Sequence, residues 1–273
     1  MSILSADYQG SDALVPYPSF EKPRFPVPDD AIVNRYGPMM PHLVDAIHVS
    51  GIRAKYAERN RSTIPFYFVI LKNILATFRD SLQDQSGIKL SQQDCLTAYF
   101  VAAINRCDPG AIRKITNTAQ IPTEEIDSSR STDIPYIAQL IRQSLQQGRA
   151  KEYIEGYMST AGKYMAAAAD EDKQFFFGSE APVLSVNSTA TYTDHRLTDI
   201  TSIAWQSVDF GTGRPVNFYK TGVSRLYLRI SAANPTGEYS FDEALDGCIG
   251  VPESFYHNFV KSLPLDGSKL CIT

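Results

Sequence analysis

Between Ser91 and Asp108 the chain specifies a helix with one apolar face. Ser91 and Asp94 stand three apart, the spacing at which a hydroxyl accepts one orphan amide while the carboxylate reaches back to another. Behind that cap Leu96, Tyr99, Phe100, Ala103 and Ile104 fall on one face at helical spacing, and Asp108-Pro109-Gly110 stops the run. Just upstream, residues 66–71 read Phe-Tyr-Phe-Val-Ile-Leu, aromatic and β-branched, which predicts a short buried strand. It runs into 72–79, where Ile74, Leu75 and Phe78 again recur at helical spacing.

The remaining pattern mixes both element types. A helix is expected from Pro135, with Ile137, Leu140, Ile141 and Leu145 on one side and Gly148 as its stop. Another is expected over 151–170, despite Gly156 and Gly162. Strands are expected at 183–187, 203–210, 226–230 and 248–251, a turn at 234–237, and a last helix at 254–262 introduced by Pro252. The class this predicts is α/β (α+β) with a mixed sheet. Prolines at 16, 18, 23, 26, 28, 38 and 41 predict an extended, non-helical stretch over 15–41, with organised structure beginning near Pro65. The expected division is therefore an extension or linker over 1–64 and a domain over 65–273.

Composition narrows the function. With 43% hydrophobic and 21% charged residues the chain can bury a sizeable core. Its formal charge of -4 and the absence of a basic patch argue against nucleic acid as a partner. Cys95, Cys107, Cys248 and Cys271 are scattered with no histidine at ligand spacing, so neither a metal site nor a disulfide framework is expected. The first twenty residues show no signal peptide, and the apolar run at 66–71 is too short to span a bilayer, which predicts a cytoplasmic protein.

Three segments carry a resemblance. Asp209-Phe210-Gly211-Thr212-Gly213-Arg214-Pro215, after the strand-like 203–209, is similar to the DFGxGxP signature of the BAHD acyl-CoA-dependent acyltransferases, relatives of chloramphenicol acetyltransferase. Some twenty residues upstream, Ser185-Val-Asn187-Ser188 resembles that family's short strand ending in Thr or Asn, Ser and usually Trp. Leu90-Ser91-Gln-Gln-Asp94-Cys-Leu-Thr-Ala98 resembles its S-x-x-D-x-L-x-A helix start. A kinase reading of the DFG triplet fails, because neither an HRD loop nor a glycine-rich loop precedes it. The resemblance covers 65–273 and implies a chloramphenicol acetyltransferase-like mixed sheet flanked by helices, in the C-terminal portion of a two-domain architecture. After Asn117 the family's inward strand and Gly-Asn segment have no equivalent, which leaves a sheet edge or apolar face open.

The chemistry implied is direct acyl transfer with acyl-CoA as cosubstrate and a small alcohol or amine as acceptor. In the family a histidine of an HxxxD motif takes the acceptor's proton, and a donor on the facing strand stabilises the oxyanion. The resemblance puts Asn187 and Ser188 in that oxyanion or positioning role, with Thr189 where the family has Trp. It gives Asp209, Phe210, Gly211, Gly213 and Pro215 a structural one. The base is not identified. His195-Arg-Leu-Thr-Asp199 spells HxxxD but lies in the wrong half, and short motifs match by accident. His42 and His48 lack an aspartate at the right spacing, and His257 reads as a surface or half-buried residue. The chain is therefore expected to need a first half, and alone to turn over poorly or self-associate through the exposed half-interface. Two alternatives stand beside this: a non-catalytic remnant or binding protein, and a serine hydrolase using Ser86 and Lys89, whose Ser-x-x-Lys, Ser185-Val-Asn187 and Lys220-Thr-Gly222 run in the order of a β-lactamase.

Overall fold

In the computed structural model, residues 25–44, 46–117, 125–175, 183–188, 224–233 and 243–263 are described. Their elements in chain order are α1 (Asp30–Tyr36), α2 (Pro41–Val44), β1 (Ile47–His48), α3 (Val49–Arg59), β2 (Thr63–Leu71), α4 (Lys72–Ser86), α5 (Gln92–Cys107), β3 (Lys114–Asn117), α6 (Ile134–Gln147), α7 (Lys151–Asp170), β4 (Lys173–Gln174), β5 (Val183–Ser188), β6 (Tyr227–Ala232), β7 (Ala244–Pro252) and α8 (Tyr256–Ser262). The class is the mixed α/β one expected.

α5 is the helix expected behind Ser91 and Asp94, though it is buried on all sides where one apolar face was expected. Ser91 Oγ accepts the Asp94 N–H at 3.2 Å and Asp94 Oδ2 accepts the Ser91 N–H at 2.7 Å, so the capping box closes. Every residue from Asp94 to Asn105 is buried. A helix buried all round has to lie between layers. One of these is a five-stranded sheet of order β2-β7-β6-β5-β3. β3, β5 and β6 run parallel, while β7 is antiparallel to both β6 and β2.

Register and the two-residue period sort the side chains. Phe66, Phe68 and Ile70 of β2, Leu245 and Ile249 of β7, Leu228 and Ile230 of β6 and Leu184 and Val186 of β5 line one face and join α5, α6 and α8 in the main core. Gly247 is what lets Phe68 lie flat there, since a Cβ on it would stand 2.0 Å from the Phe68 ring.

Ahead of β2 the structure departs from expectation. Residues 15–41 were expected to be extended, yet α1 sits inside that stretch, and α2, β1 and α3 precede Pro65. The cause is the proline-free gap between Pro28 and Pro38, opened by Asp29, whose carboxylate accepts the Ile32 N–H at 2.8 Å. The helix then finds a partner. Tyr36, Met40 and Leu43 pack with Tyr157 and Ala161 of α7 into a second, smaller core. Gly156 makes room for the Tyr36 ring, as a Cβ there would be 2.2 Å from it.

Candidate functional site

Asn187 and Ser188 end β5, the central strand of the parallel trio. Ligands of open α/β sheets lie beyond the carboxyl ends of parallel strands, where these two residues sit. Asn187 pairs in register with Arg229 of β6, which in turn pairs with Cys248 of β7, itself opposite Tyr67 of β2. The period of two therefore puts Ser185, Asn187, Tyr227, Arg229, Ser231, Asp246 and Tyr67 on the face opposite the core, and puts Ser188, opposite Ile230, on the core-side face with Val186. Over β5 and β6 this second face is polar and half-buried, with buried Cys248 and Ala244 on β7 and Val69 and Leu71 on β2 continuing it as an apolar one, and the Arg229 guanidinium lies 5.0 Å from the centre of the Tyr227 ring. Ser231 Oγ is buried there with no hydrogen-bond partner among the described residues.

Arg229 is the feature that motif reading overlooked. Its signal was present: Tyr227, Arg229 and Ser231 alternate with Leu228 and Ile230, a polar row on an otherwise apolar strand. A neighbouring cation and an amide can together hold a developing negative charge, and this is the chemistry the row can offer.

His195 and the segment Asp209, Phe210, Gly211, Gly213, Pro215 lie outside the described residues, as do the strand expected at 203–210 and the turn at 234–237.

The other histidines with described side chains are committed elsewhere. His48 Nδ1 accepts the Ser50 N–H at 3.3 Å, so its lone pair caps α3, and Nε2 lies 3.3 Å from Asp172 at an exposed site. Ser50 Oγ is 2.9 Å from the same Nδ1, which gives a Ser-His-Asp line. With the acceptor nitrogen spent on the cap and both His48 and Asp172 largely exposed, nothing there excludes water from a reacting carbonyl. His257 is exposed on α8.

Ser86 and Lys89 fare no better as a nucleophile and its base. Ser86 closes α4 instead of opening a helix, its hydroxyl faces the Gln83 carbonyl at 3.5 Å, and Gly87 follows in the left-handed region at φ 70°. Lys89 is exposed.

Asp94 is a structural residue. Arg142 of α6 donates both Nε, at 2.8 Å, and Nη2 to Asp94 Oδ2, and the carboxylate is fully buried. Nothing in the spacing of forty-eight residues foretold that pair. Burial pushes the neighbouring Cys95 thiol from 9.0 up to about 12, which marks it as inert rather than nucleophilic. A cavity of about 410 Å³ lined by Gly110, Ile112, Arg113, Glu125, Asp127 and Ser131 opens beside the start of β3, at the end of the parallel strands away from Asn187. It is no part of this wall. No helix among the described residues is long and apolar enough to cross a membrane.

No protein-family model matches the chain, and neither does any curated protein. Solved structures do. F. sporotrichioides TRI101, complexed with coenzyme A and T-2, is similar over 73% of this chain with a TM-score of 0.54 at 11% identity. Vinorine synthase is similar over 75% of the chain with a TM-score of 0.46 at 16% identity. The chain spans about half the length of each, 49% and 47%. At such identity the likeness to TRI101 concerns the fold, and it agrees with the mixed sheet and flanking helices traced above: the chain has the α/β fold found in about half of TRI101.

Proposed function

We propose that this chain works in acyl transfer from acyl-CoA to an alcohol or amine, as the C-terminal wall of a BAHD-type active site. The observation that carries the reading is the position of Asn187 and Ser188 at the carboxyl end of the central parallel strand, in a chain whose fold is similar to about half of a protein complexed with coenzyme A. Three motif segments in the family's order support it.

In the reaction the acceptor oxygen or nitrogen adds to the thioester carbonyl and loses its proton to a base. The carbonyl oxygen becomes an oxyanion held by a donor from Asn187, which of the two candidates is the one on the face away from the core, with Ser188 in a positioning role at the strand's end. Collapse breaks the C–S bond, and the departing sulfur recovers the proton as coenzyme A thiol, leaving an ester or amide. The base is assigned to a histidine of an HxxxD motif in a first half of the fold, with Asp209 to Pro215 as a structural turn on this side. The division we propose is an extension over 1–64, whose α1 and α2 pack on α7, and an acyltransferase-like domain over 65–273.

Co-expression with a histidine-bearing first half from a related acyltransferase tests this. Acyl-CoA turnover, followed by thiol release, is expected only in the combined sample. Asn187→Ala is expected to lower kcat by roughly 10²-fold with little change in KM, the scale for losing one oxyanion donor. Equal turnover by the chain alone, abolished by His195→Ala, would refute the assignment of the base.

A further inference from the structure

Two arginines far apart in sequence are carried by turns that meet at the end of the parallel strands away from Asn187. Asn60 closes α3, and its Oδ1 accepts the Arg225 N–H at 3.0 Å, which seats the turn ahead of β6 against the turn ahead of β2. Each turn has further backbone bonds. On one side Thr63 N–H reaches the Asn60 carbonyl at 3.2 Å and Glu253 N–H the Ser62 carbonyl at 2.8 Å. On the other, Tyr227 N–H reaches the Ser224 carbonyl at 3.2 Å and Leu226 N–H the Gly250 carbonyl at 2.8 Å. Gly250 permits this approach, since a Cβ on it would stand 2.2 Å from the Ser224 carbonyl oxygen. Ser62 and Leu226, the residues directly after Arg61 and Arg225, both take positive φ, 57° and 54°. Strain of this kind persists only where the surroundings fix the backbone, so both arginines stand on rigid supports. Their side chains are exposed, and neither is ion-paired with a described residue, although the exposed Glu58 and Glu253 flank the first turn.

We propose that Arg61 and Arg225 form an anion-binding corner, and that the anion it takes is the diphosphate of acyl-CoA. The inference rests on the acyl-transfer reading for the identity of the ligand. A guanidinium presents a planar fork of donors that matches phosphate oxygens, and two of them on rigid turns lose little backbone freedom on binding. Position supports the choice of ligand. Arg229 pairs with Asn187, and Arg225 lies four residues earlier, about 13 Å along the strand from the level of Asn187. The extended pantetheine arm, which separates the thiol of CoA from its diphosphate, has a length of that order. Two cations beside two carboxylates, in a chain of formal charge -4, are too few to follow a nucleic-acid backbone.

Inorganic pyrophosphate is expected to bind the full chain in calorimetry, more weakly as salt is raised. Arg61→Gln and Arg225→Gln are each expected to raise its Kd roughly tenfold, the scale for losing one charge-assisted hydrogen bond, with unchanged circular dichroism. With the histidine-bearing first half present, the same variants are expected to raise KM for acyl-CoA about tenfold at constant kcat. KM for acyl-pantetheine, which carries no phosphate, should stay at the parental value, a result that a merely misfolded wall would not give. Pyrophosphate that fails to bind the chain, or that binds the double variant as well as the parent, overturns the proposal. Thiol release with the same KM for acyl-CoA in parent and variants overturns the corner and leaves the acyl-transfer reading standing. Pyrophosphate binding lost in the double variant, with no thiol release from any acyl-CoA, supports the anion corner and refutes that reading.

Discussion

Asp94 shows how a single side chain can be read correctly for one role and still hide another. Its place three residues after Ser91 announced the cap, which is a local matter of chain geometry. Its bond to Arg142 depends on how α5 and α6 pack, and no local rule reaches that far. The pair is also the more consequential role. The carboxylate is fully buried, and its Oδ1 has no partner among the described residues, so Oδ2 carries the whole interaction. Arg142→Met would leave that charge with the Ser91 N–H alone. Removing one member of a buried pair costs about 3–5 kcal/mol, because the other stays dry and uncompensated. Urea unfolding of Arg142→Met should show a lower midpoint at unchanged slope. A loss of under about 1 kcal/mol would place the pair with exposed ones.

At the scale of elements, the helices after Pro65 were legible, whereas α1, α2 and α3 and the pairing of the sheet were not. α5, α6 and α7 lie where apolar periodicity put them, since a helix closes its hydrogen bonds within one segment, while α4 runs on to Ser86, past the expected 72–79. The strands expected at 66–71, 183–187 and 226–230 have counterparts in β2, β5 and β6, but β1, β3 and β4 were not expected, and β7 runs over Ala244–Pro252, well beyond the expected 248–251. Asp246 and Gly247 broke the apolar pattern that would have extended it. Which strands pair is decided by complementary surfaces far apart in sequence, and Gly247 is part of the answer. Phe68 stands opposite Gly247, and the ring fills the space a Cβ would take. Gly247→Ala should cost about 1–3 kcal/mol from overpacking. Shortening the partner in Gly247→Ala/Phe68→Leu should recover part of that loss, although Phe68→Leu alone destabilises. Strictly additive losses in this cycle would mean the ring and the glycine do not share the space. The site followed the same logic: Asn187 and Ser188 were nameable from a short motif, whereas Arg229 became visible as a neighbour only once β5 and β6 were paired.

For the whole molecule the consequential feature is that the described residues form two hydrophobic cores of unequal size. The larger joins the five-stranded sheet to α4, α5, α6 and α8, and the smaller joins α1 and α2 to α7 with few large side chains. Local opening free energies follow such inequality, so the smaller unit should open first. Gly156 offers a way to separate the two. A methyl on it would lie 2.2 Å from Tyr36 Cε2, and an aromatic ring wedged between two helices cannot rotate out of the way without leaving the core. Gly156→Ala removes a helix-weakening residue from α7 and should strengthen that helix in isolation by roughly 1 kcal/mol. It should nevertheless push α1 away. The two effects have opposite signs and act on different parts, which makes the outcome diagnostic. Limited proteolysis should cut Gly156→Ala faster within 30–44 than the parent, while exchange of the α5 and β7 amides stays at parental rates. Uniform acceleration across both regions would mean the two cores unfold as one cooperative unit.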